Sequence, residues 1–407
     1  MKRITLISVL ATLLWALWLS RTGVLWAGQA SWPLDQISSE DALLVACPDG
    51  QILYKKNETK KLVPASTLKI LTALAAIHHL GESYRFWTEF YLDQEKNLKI
   101  KGYGDPLLVS EVWQEMAAAL ARRFQGFKDL ILDDSYFVRD IQIPGVSNST
   151  NPYDAPLGAL CANFNTIFFE RDRAGRIVSA EPQTPLTPLA LEYVQHLGLK
   201  SGRYTFSHDS REAVLYAGEL LVHFLRETGI DFQGKTRMGI VGPEDRLVYT
   251  YESVYALEEC LRKMLEFSSN FMANQIFLAV GAHVDGPPAT VEKGVRAVCR
   301  YAKDVLGLKD IRIVEGSGIS RKNRLSALDM LAVLKAFEPH RGLLTGKGRA
   351  LYKSGTLKDI KTRAGYMDCQ HGRPYSFVIF LNSPNPDMES VMNSVTMLIK
   401  LQKRDTE

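Results

Sequence analysis

Three short groups of residues in this sequence have the types and the spacing of an acyl-transfer site. Ser66 and Lys69 stand three apart, Ser268 and Asn270 stand two apart, and residues 353–356 read Lys-Ser-Gly-Thr. A serine hydroxyl is a weak nucleophile near neutral pH and needs a neighbouring base. Residues three apart on a helix lie on one face, so Lys69 can reach Ser66. Together, the three groups predict an enzyme that acylates its own serine.

The apolar run after Ser66 predicts a buried helix. Residues 68–77 are apolar nearly all round, and Gly81 marks the end of the run, as expected for a helix in a domain centre. Ser66 would then lie at the N-terminal end, where free N–H groups and the helix dipole favour developing negative charge. An N-cap serine is the alternative interpretation of Ser66. Lys69 would be buried, and desolvation would lower its pKa toward that of a base.

The second group falls between two helical patterns. Apolar residues recur at a helical period in residues 254–267, at Val254, Leu257, Leu261, Met264 and Leu265, and a second apolar helix is predicted at residues 271–280. Residues two apart do not face the same way on a continuous helix. Ser268 and Asn270 can therefore face one cleft only if a loop joins the two helices.

Strand-like runs at both ends of the chain predict one shared antiparallel sheet. Residues 41–46 and 51–55 flank a Pro-Asp-Gly turn, which is a hairpin signal. Residues 362–369 and 375–381 form a second hairpin, and a strand at residues 351–357 carries the third group. Helices packed on such a sheet give an α+β fold, with an antiparallel sheet flanked by helices.

The pattern of strand-like, helical and turn residues changes between residues 88 and 250. Strand-like and helical runs alternate with turn residues over a stretch too long for a loop. We interpret residues 88–250 as an inserted accessory domain. A helix near residues 210–228 would lead the chain back to the first domain. A discontinuous catalytic domain then comprises residues 31–87 and 251–407.

The N-terminus predicts export. Lys2 and Arg3 precede an apolar run at residues 4–19, and small residues come after it, which is typical of a secretory signal peptide. The run is shorter than the roughly 20 residues that span a bilayer, and Arg21 separates it from a second apolar patch at residues 24–26. We interpret residues 1–30 as a signal peptide, with a retained N-terminal anchor as the alternative.

Composition narrows the classes of function. Hydrophobic residues make up 46% and charged residues 23% of the 407 residues, an ordinary globular balance. The formal net charge is +4, three of the cations lie in the leader, and no basic block remains to bind nucleic acid. The 5 cysteines include no Cys-x-x-Cys pair, and the 8 histidines add no ligand spacing, so no metal site is predicted. An odd cysteine count leaves at least one thiol free and leaves a disulfide open.

Longer strings around the three groups resemble the peptidase S13 family, the DacB-like D-alanyl-D-alanine carboxypeptidases among the penicillin-binding proteins. The strings lie at residues 104–106, 130–137, 153–165, 315–324 and 351–366. The likeness covers most of the chain after the leader. The sequence departs from the family pattern at three places. It has Lys-Ser-Gly where Lys-Thr-Gly is commoner, and Ser269 and Glu315 each stand where the family usually has Asp. The inserted region at residues 88–250 is shorter than in the longest relatives, which leaves open whether a third domain nested in it is present.

The resemblance implies a catalytic role for each residue of the first two groups. Ser66 is the nucleophile that attacks the carbonyl carbon of a D-Ala-D-Ala bond, and neutral Lys69 is its general base. Ser268 relays the proton to the departing amine, and Asn270 holds the substrate amide and Lys69.

The third group is implied to bind substrate. Lys353 supplies positive potential for the terminal carboxylate, which Thr356 and Ser354 hydrogen-bond, and Gly355 completes the string. Backbone N–H groups of Ser66 and Thr356 form the oxyanion hole, where one donor is typically worth about 3 kcal/mol.

The implied activity is a serine DD-carboxypeptidase that acts on peptidoglycan stem peptides, with DD-endopeptidase cleavage of cross-links left open. β-Lactams would acylate the same serine, no metal or cofactor is required, and the protein would be periplasmic, with membrane association if the leader stays uncleaved. A β-lactamase is an alternative, although no glutamate is placed as a dedicated deacylation base. A decayed peptidoglycan-binding scaffold is another, although the complete set of site residues argues against decay.

Overall fold

The structure is a computed structural model that describes residues 37–230, 232–367 and 373–404. Its helices are α1 (Lys69–Leu80), α2 (Ser110–Ala121), α3 (Pro188–Leu197), α4 (Ser210–Glu227), α5 (Leu257–Glu266), α6 (Asn270–Asp285), α7 (Val291–Asp304), α8 (Ala327–Phe337) and α9 (Met388–Arg404). Its strands are β1 (Ala42–Ala46), β2 (Ile52–Lys56), β3 (Arg85–Leu92), β4 (Leu98–Gly102), β5 (Leu130–Asp133), β6 (Thr166–Arg171), β7 (Ile177–Ser179), β8 (Gly202–Thr205), β9 (Thr236–Met238), β10 (Arg246–Ala256), β11 (Gly346–Lys347), β12 (Ala350–Leu357), β13 (Ile360–Met367) and β14 (Tyr375–Leu381).

Some predictions fall outside the described residues. The leader at residues 1–30 is among them, as are Cys369 and part of the connection at residues 370–374. In the chain that is described, no helix is both long and apolar enough to cross a bilayer. The described cysteines Cys47, Cys161, Cys260 and Cys299 are free thiols.

A six-stranded antiparallel sheet joins the two ends of the chain. Its strand order is β11-β12-β13-β14-β1-β2. β1 pairs with β14 so that Leu44 lies opposite Val378, and both side chains are fully buried. The alternation of apolar residues on these strands places one face against helices α1 and α8, which share a core with it. The sequence-based prediction of one shared sheet in an α+β fold is confirmed.

A second sheet is built from strands within residues 85–256. Its order is β10-β3-β4-β5-β9, with antiparallel pairs at the β10 side and parallel pairs from β4 to β9. A smaller antiparallel sheet, β7-β6-β8, lies between Thr166 and Thr205. Residues Ile37–Met388 form one compact unit, and the division into a catalytic and an accessory domain stays a prediction.

The helix predicted at residues 254–267 begins later than expected. β10 extends to Ala256, so Val254 lies on a strand with 52% of its surface exposed, and α5 starts at Leu257. Pairing with β3 continues through an irregularity between Glu252 and Ala256. This long-range pairing overrides the local period, since the spacing of Val254 and Leu257 fits a helix by coincidence.

Helix α6 contributes to two hydrophobic cores. Met272 and Ile276 pack with α1 and the six-stranded sheet, whereas Phe271 and Leu278 pack with the residues around β3–β5. A helix held from two sides has little freedom to shift. The position of Asn270, its first residue, is therefore fixed by both cores.

Candidate active site

Ser66 lies in a 3₁₀ turn, Ala65–Leu68, that leads directly into α1. The hydroxyl of Thr67 donates to the carbonyl of Pro64 at 2.6 Å and closes the turn. Strand β12 passes so near that a Cβ at Gly355 would lie 2.7 Å from the backbone nitrogen of Ser66. Glycine is therefore needed where the third sequence group meets the first.

The side chain of Lys69 is fully buried behind Ser66. Its Nζ lies 3.0 Å from Ser66 Oγ, 2.8 Å from Asn270 Oδ1 and 2.8 Å from the carbonyl oxygen of Ser317. Burial, followed by the positive charge of Lys353, lowers the pKa of Lys69 to about 7, and the carboxylate of Glu315 opposes this change. A substantial fraction of this amine is neutral near neutral pH.

The second group lies where α5 ends and α6 begins, as the spacing predicted. Ser268 has a left-handed backbone with φ of +54°, which breaks the helical path. The hydroxyl of Ser269 accepts from the N–H of Met272 and caps α6. Asn270 is thereby held at the first helical position, facing Lys69. Sequence reasoning did not foresee the capping role of Ser269, although serine ranks among the preferred N-cap residues.

The third group lies on β12, whose side chains alternate between two faces. Lys353 and Gly355 are buried, and Ser354 and Thr356 are exposed. The ammonium of Lys353 donates to the carbonyl of Ser354 at 3.0 Å, and burial lowers the pKa of Lys353 to about 8. Within the described residues no hydrogen bond joins Lys353 to Ser268.

A large cleft opens above Ser66. Its volume is about 1190 Å³, and Ser66, Ser268, Asn270 and Thr356 line it. Lys353 and Ser354 line a separate pocket of about 180 Å³. The remaining wall of the cleft comes partly from residues earlier in the chain, including Glu111, Tyr153, Thr166, Glu181, Gln183, Thr184 and Arg203. None of these wall residues was predicted from the sequence to belong to the site.

A loop that sequence reasoning assigned no role completes the site. Besides the contact of Ser317 with Lys69, the carbonyl of Gly316 accepts from Thr72 Oγ1 at 2.6 Å. At Gly318, φ is +85° and a Cβ would lie 1.9 Å from the carbonyl oxygen of Ala65. The loop is packed against both the base and the turn that carries the nucleophile. The Gly-Ser-Gly string beside Glu315 was the signal available in the sequence, since it permits such a close approach.

The arrangement can move a proton from Ser66 to Lys69. A neutral amine has two N–H donors and one lone pair. The two carbonyl oxygens, Asn270 Oδ1 and that of Ser317, can only accept, so they take both donors. The lone pair then faces the hydroxyl of Ser66. This is the geometry of a serine activated by an adjacent base.

The family model described as D-Ala-D-Ala carboxypeptidase 3 (S13) family matches residues 37–196 and 196–344. Among curated proteins, the chain is similar to the D-alanyl-D-alanine carboxypeptidase DacB of Haemophilus influenzae, with 27% identity over 84% of this chain and 85% of the relative. It is also similar to a D-alanyl-D-alanine carboxypeptidase of an Actinomadura species, with 25% identity over 70% of this chain and 62% of that protein.

Among solved structures, penicillin-binding protein 4 (dacB) from Haemophilus influenzae matches with a TM-score of 0.73 and 21% identity, over 92% of this chain and 99% of that chain. A predatory peptidoglycan endopeptidase from Bdellovibrio bacteriovorus matches with a TM-score of 0.52 and 16% identity, over 89% and 91% of the two chains. At these identities the structural matches show a shared fold.

Proposed function

This chain belongs to the D-Ala-D-Ala carboxypeptidase 3 (S13) family, and on that premise we propose that Ser66 is the nucleophile with which it removes the terminal D-alanine of peptidoglycan stem peptides. The observation that carries the proposal is the contact of 3.0 Å between Ser66 Oγ and the buried amine of Lys69. The other two contacts of that amine are carbonyl oxygens, which direct its lone pair to the hydroxyl.

In the acylation step, Ser66 Oγ forms a bond to the carbonyl carbon of the D-Ala-D-Ala peptide, and its proton passes to Lys69. The carbon–nitrogen bond then breaks, and Ser268 relays the proton held by Lys69 to the departing amine of D-alanine, which leaves Lys69 neutral again. Backbone N–H groups of Ser66 and Thr356 stabilise the oxyanion. Water hydrolyses the ester, which frees the shortened peptide and restores the hydroxyl of Ser66.

Recognition of the terminal carboxylate falls to β12. Lys353 contributes positive potential, and Thr356, which lines the cleft with Ser66, contributes a hydroxyl. Ser354 lines the separate pocket, so we assign the direct carboxylate contact to Thr356 ahead of Ser354. Gly355 allows the strand to approach the nucleophile closely enough for this contact.

β-Lactams are proposed as covalent inhibitors, because their strained amide imitates the scissile bond and leaves an ester on Ser66. Periplasmic localisation, directed by the leader at residues 1–30, belongs to the same proposal, as does membrane association if the leader is retained. Fractionation of cells that express the full chain, with and without residues 1–30, tests this part. Recovery of the full chain only with cytosolic proteins would contradict it.

Endopeptidase cleavage of cross-linked peptides is a second candidate activity. The observation that favours it is the size of the cleft, about 1190 Å³, which exceeds the roughly 300–1,000 Å³ of pockets for small ligands. A cleft of this size has room for more than one peptide strand beside Ser66.

Labelling with a fluorescent penicillin tests the nucleophile. We expect a covalent band with the native protein, no band with Ser66→Ala, and an unchanged band with the exposed control Ser39→Ala. Absence of a band with the native protein would favour the non-catalytic scaffold, and loss of the band within seconds would favour a β-lactamase. Release of free D-alanine from a pentapeptide, or of monomers from a dimeric muropeptide, then distinguishes the two peptidase activities.

A further inference from the structure

Glu315 is a fully buried carboxylate that the proposed mechanism does not use. Among the residues that the structure describes, its two oxygens accept hydrogen bonds from members of its own loop: Ser317 N at 2.7 Å, Ser317 Oγ at 2.6 Å, Gly318 N at 2.8 Å, Ser320 N at 3.3 Å and Asn323 Nδ2 at 2.6 Å. Four of these five donors are N–H groups, which cannot act as acceptors. The loop is therefore built around the ionised, acceptor-only form of the side chain.

The loop that Glu315 holds is the one that contacts the base. The same residue, Ser317, donates to Glu315 through its N–H and hydroxyl and accepts from Lys69 Nζ through its carbonyl. The carbonyl of Ser317 shares one planar peptide unit with the N–H of Gly318, which also donates to Glu315, so holding that N–H fixes the direction of the carbonyl. The carboxylate thus acts on Lys69 through one intervening residue.

The charge of Glu315 reaches Lys69 as well. The charged groups that face the amine are Lys353 on β12 and Glu315 in the loop, and their effects on it are opposite. Lys353 favours the neutral amine, and Glu315 favours the ammonium that forms when the amine takes a proton. A base must be neutral before the reaction and must hold a proton after it. Lys353 therefore serves the first requirement and Glu315 serves the second.

We propose that Glu315 is a positioning residue for acylation, whose carboxylate fixes the carbonyl of Ser317 so that it takes one N–H of Lys69 and leaves the lone pair directed at Ser66. The inference rests on the proposed function, since it assigns a role within the same reaction. The side chain touches neither substrate nor the reacting atoms, and it acts through Ser317 and through its charge.

The variant Glu315→Gln retains the shape of the side chain and removes its charge. Whichever way the amide is turned, its NH₂ group faces N–H donors that the carboxylate accepted, so the loop loses hydrogen bonds. We expect the plateau of the acylation rate with a fluorescent penicillin to fall about tenfold or more, because Lys69 would no longer be held in the right direction toward Ser66. We expect the acid limb of the pH–rate profile to move down by about half a pH unit, because a negative charge that favours the ammonium is lost.

Two matched variants separate this role from general support of the fold. Glu315→Asp keeps the charge and should restore the plateau to within about threefold, with the acid limb at the parent's pH. Thr72→Val removes the hydrogen bond to Gly316 in the same loop without touching Glu315 or Lys69. It should lower the melting temperature and leave the acid limb unmoved.

If Glu315→Gln does not fold, Ser317→Ala takes its place. This variant keeps the carboxylate and removes the hydroxyl hydrogen bond of 2.6 Å to it, together with the bond of 3.2 Å that Ile319 N donates to the same hydroxyl. The plateau should fall about threefold, with the acid limb within about 0.2 pH unit of the parent's. A plateau equal to the parent's in whichever variant folds would overturn the proposal. A fall in the Glu315→Gln plateau with an unmoved acid limb would also overturn it, because it would mean that the residue only supports the fold.

A direct measurement separates failure of this inference from failure of the proposed function. The pKa of Lys69 is followed by NMR with lysine labelled at Cε, assigned by comparison with Lys69→Ala. A lower pKa in Glu315→Gln than in the parent is expected even if the parent does not react with penicillin. An equal pKa in both proteins overturns the role of Glu315. The penicillin band on Ser66 of the parent tests the proposed function separately, whatever the pKa comparison gives.

Discussion

A buried lysine is costly unless its surroundings satisfy it, and Lys69 is satisfied by three oxygen atoms. Desolvation favours its neutral form, and the two carbonyl acceptors use both N–H groups of that form. The same contacts that make burial tolerable therefore leave the lone pair to Ser66. Stability and reactivity have one cause at this residue.

Lys69→Ala is expected to lower the rate of acylation by penicillin at least about a hundredfold, because the hydroxyl of Ser66 loses its base. The fold should persist, since removing a buried amine also removes its desolvation cost. Stopped-flow labelling measures the rate, and circular dichroism measures the melting temperature. Lys200→Ala, at an exposed position, is the control and should match the parent. An unchanged rate in Lys69→Ala would show that another group takes the proton.

The two buried lysines predict a bell-shaped pH dependence of kcat/KM for substrates with a free carboxylate. Lys69 must be neutral, so the rate should rise through its pKa of about 7. Lys353 must be cationic to attract the carboxylate, so the rate should fall above its pKa of about 8. The optimum then lies between these values. A pH series with such a substrate measures both limbs.

The alkaline limb can be assigned separately. Lys353→Met removes the titrating group, so the rate should be lower and the fall at alkaline pH should disappear. Persistence of that fall in Lys353→Met would assign it to a different group. For a substrate analogue whose carboxylate is replaced by a neutral amide, the rate with Lys353→Met should be close to the rate with the parent.

At the scale of elements, the site depends on a close approach of β12 to the turn before α1. Gly355 lies where the strand crosses the turn, and a Cβ there would lie 2.4 Å from Thr362 Oγ1 as well as 2.7 Å from Ser66 N. These neighbours belong to a paired strand and to the backbone of the turn, neither of which yields easily. The oxyanion hole and the carboxylate contact both depend on this distance.

Gly355→Ala is expected to slow acylation about a hundredfold, because a displacement of about 1 Å at a catalytic site costs that much. Gly342→Ala is the matched control, since a Cβ there meets nothing within 4 Å, and it should behave as the parent does. Acylation rates and melting temperatures of both variants are compared. A fully active Gly355→Ala would mean that the strand can withdraw without affecting Ser66.

The elements also show what the sequence could predict. The hairpins of the six-stranded sheet and the break between α5 and α6 were confirmed, because turn residues and the side-chain spacing of Ser268 and Asn270 are local signals. The family was confirmed as well, since the motifs are specific. The strand that contains Val254 and the mixed order of the second sheet were not predicted, because both result from pairing between distant strands. Glu315 was noticed only as a departure from a family pattern, because its hydrogen bonds are visible only in three dimensions.

At the scale of the whole molecule, one cleft combines a small reactive region with a long wall. Ser66 and its partners occupy part of the lining, and residues between 107 and 203 supply much of the rest. A penicillin needs the reactive part, whereas a cross-linked peptide needs room for a second strand. Substrate size should therefore separate the functions of the two parts.

Filling the wall of the cleft tests this separation. Gln183 is exposed and lines the cleft, and Gln183→Trp should occupy space there without changing Ser66 or Lys69. We expect acylation by penicillin to stay within about twofold of the parent and cleavage of a dimeric muropeptide to fall at least about tenfold, the equivalent of about 1.4 kcal/mol. Gln195→Trp is the matched control, because Gln195 is exposed on α3 and does not line the cleft. An equal loss for both substrates in Gln183→Trp would mean that the wall belongs to the reactive region, and no loss for either would mean that longer substrates bind elsewhere.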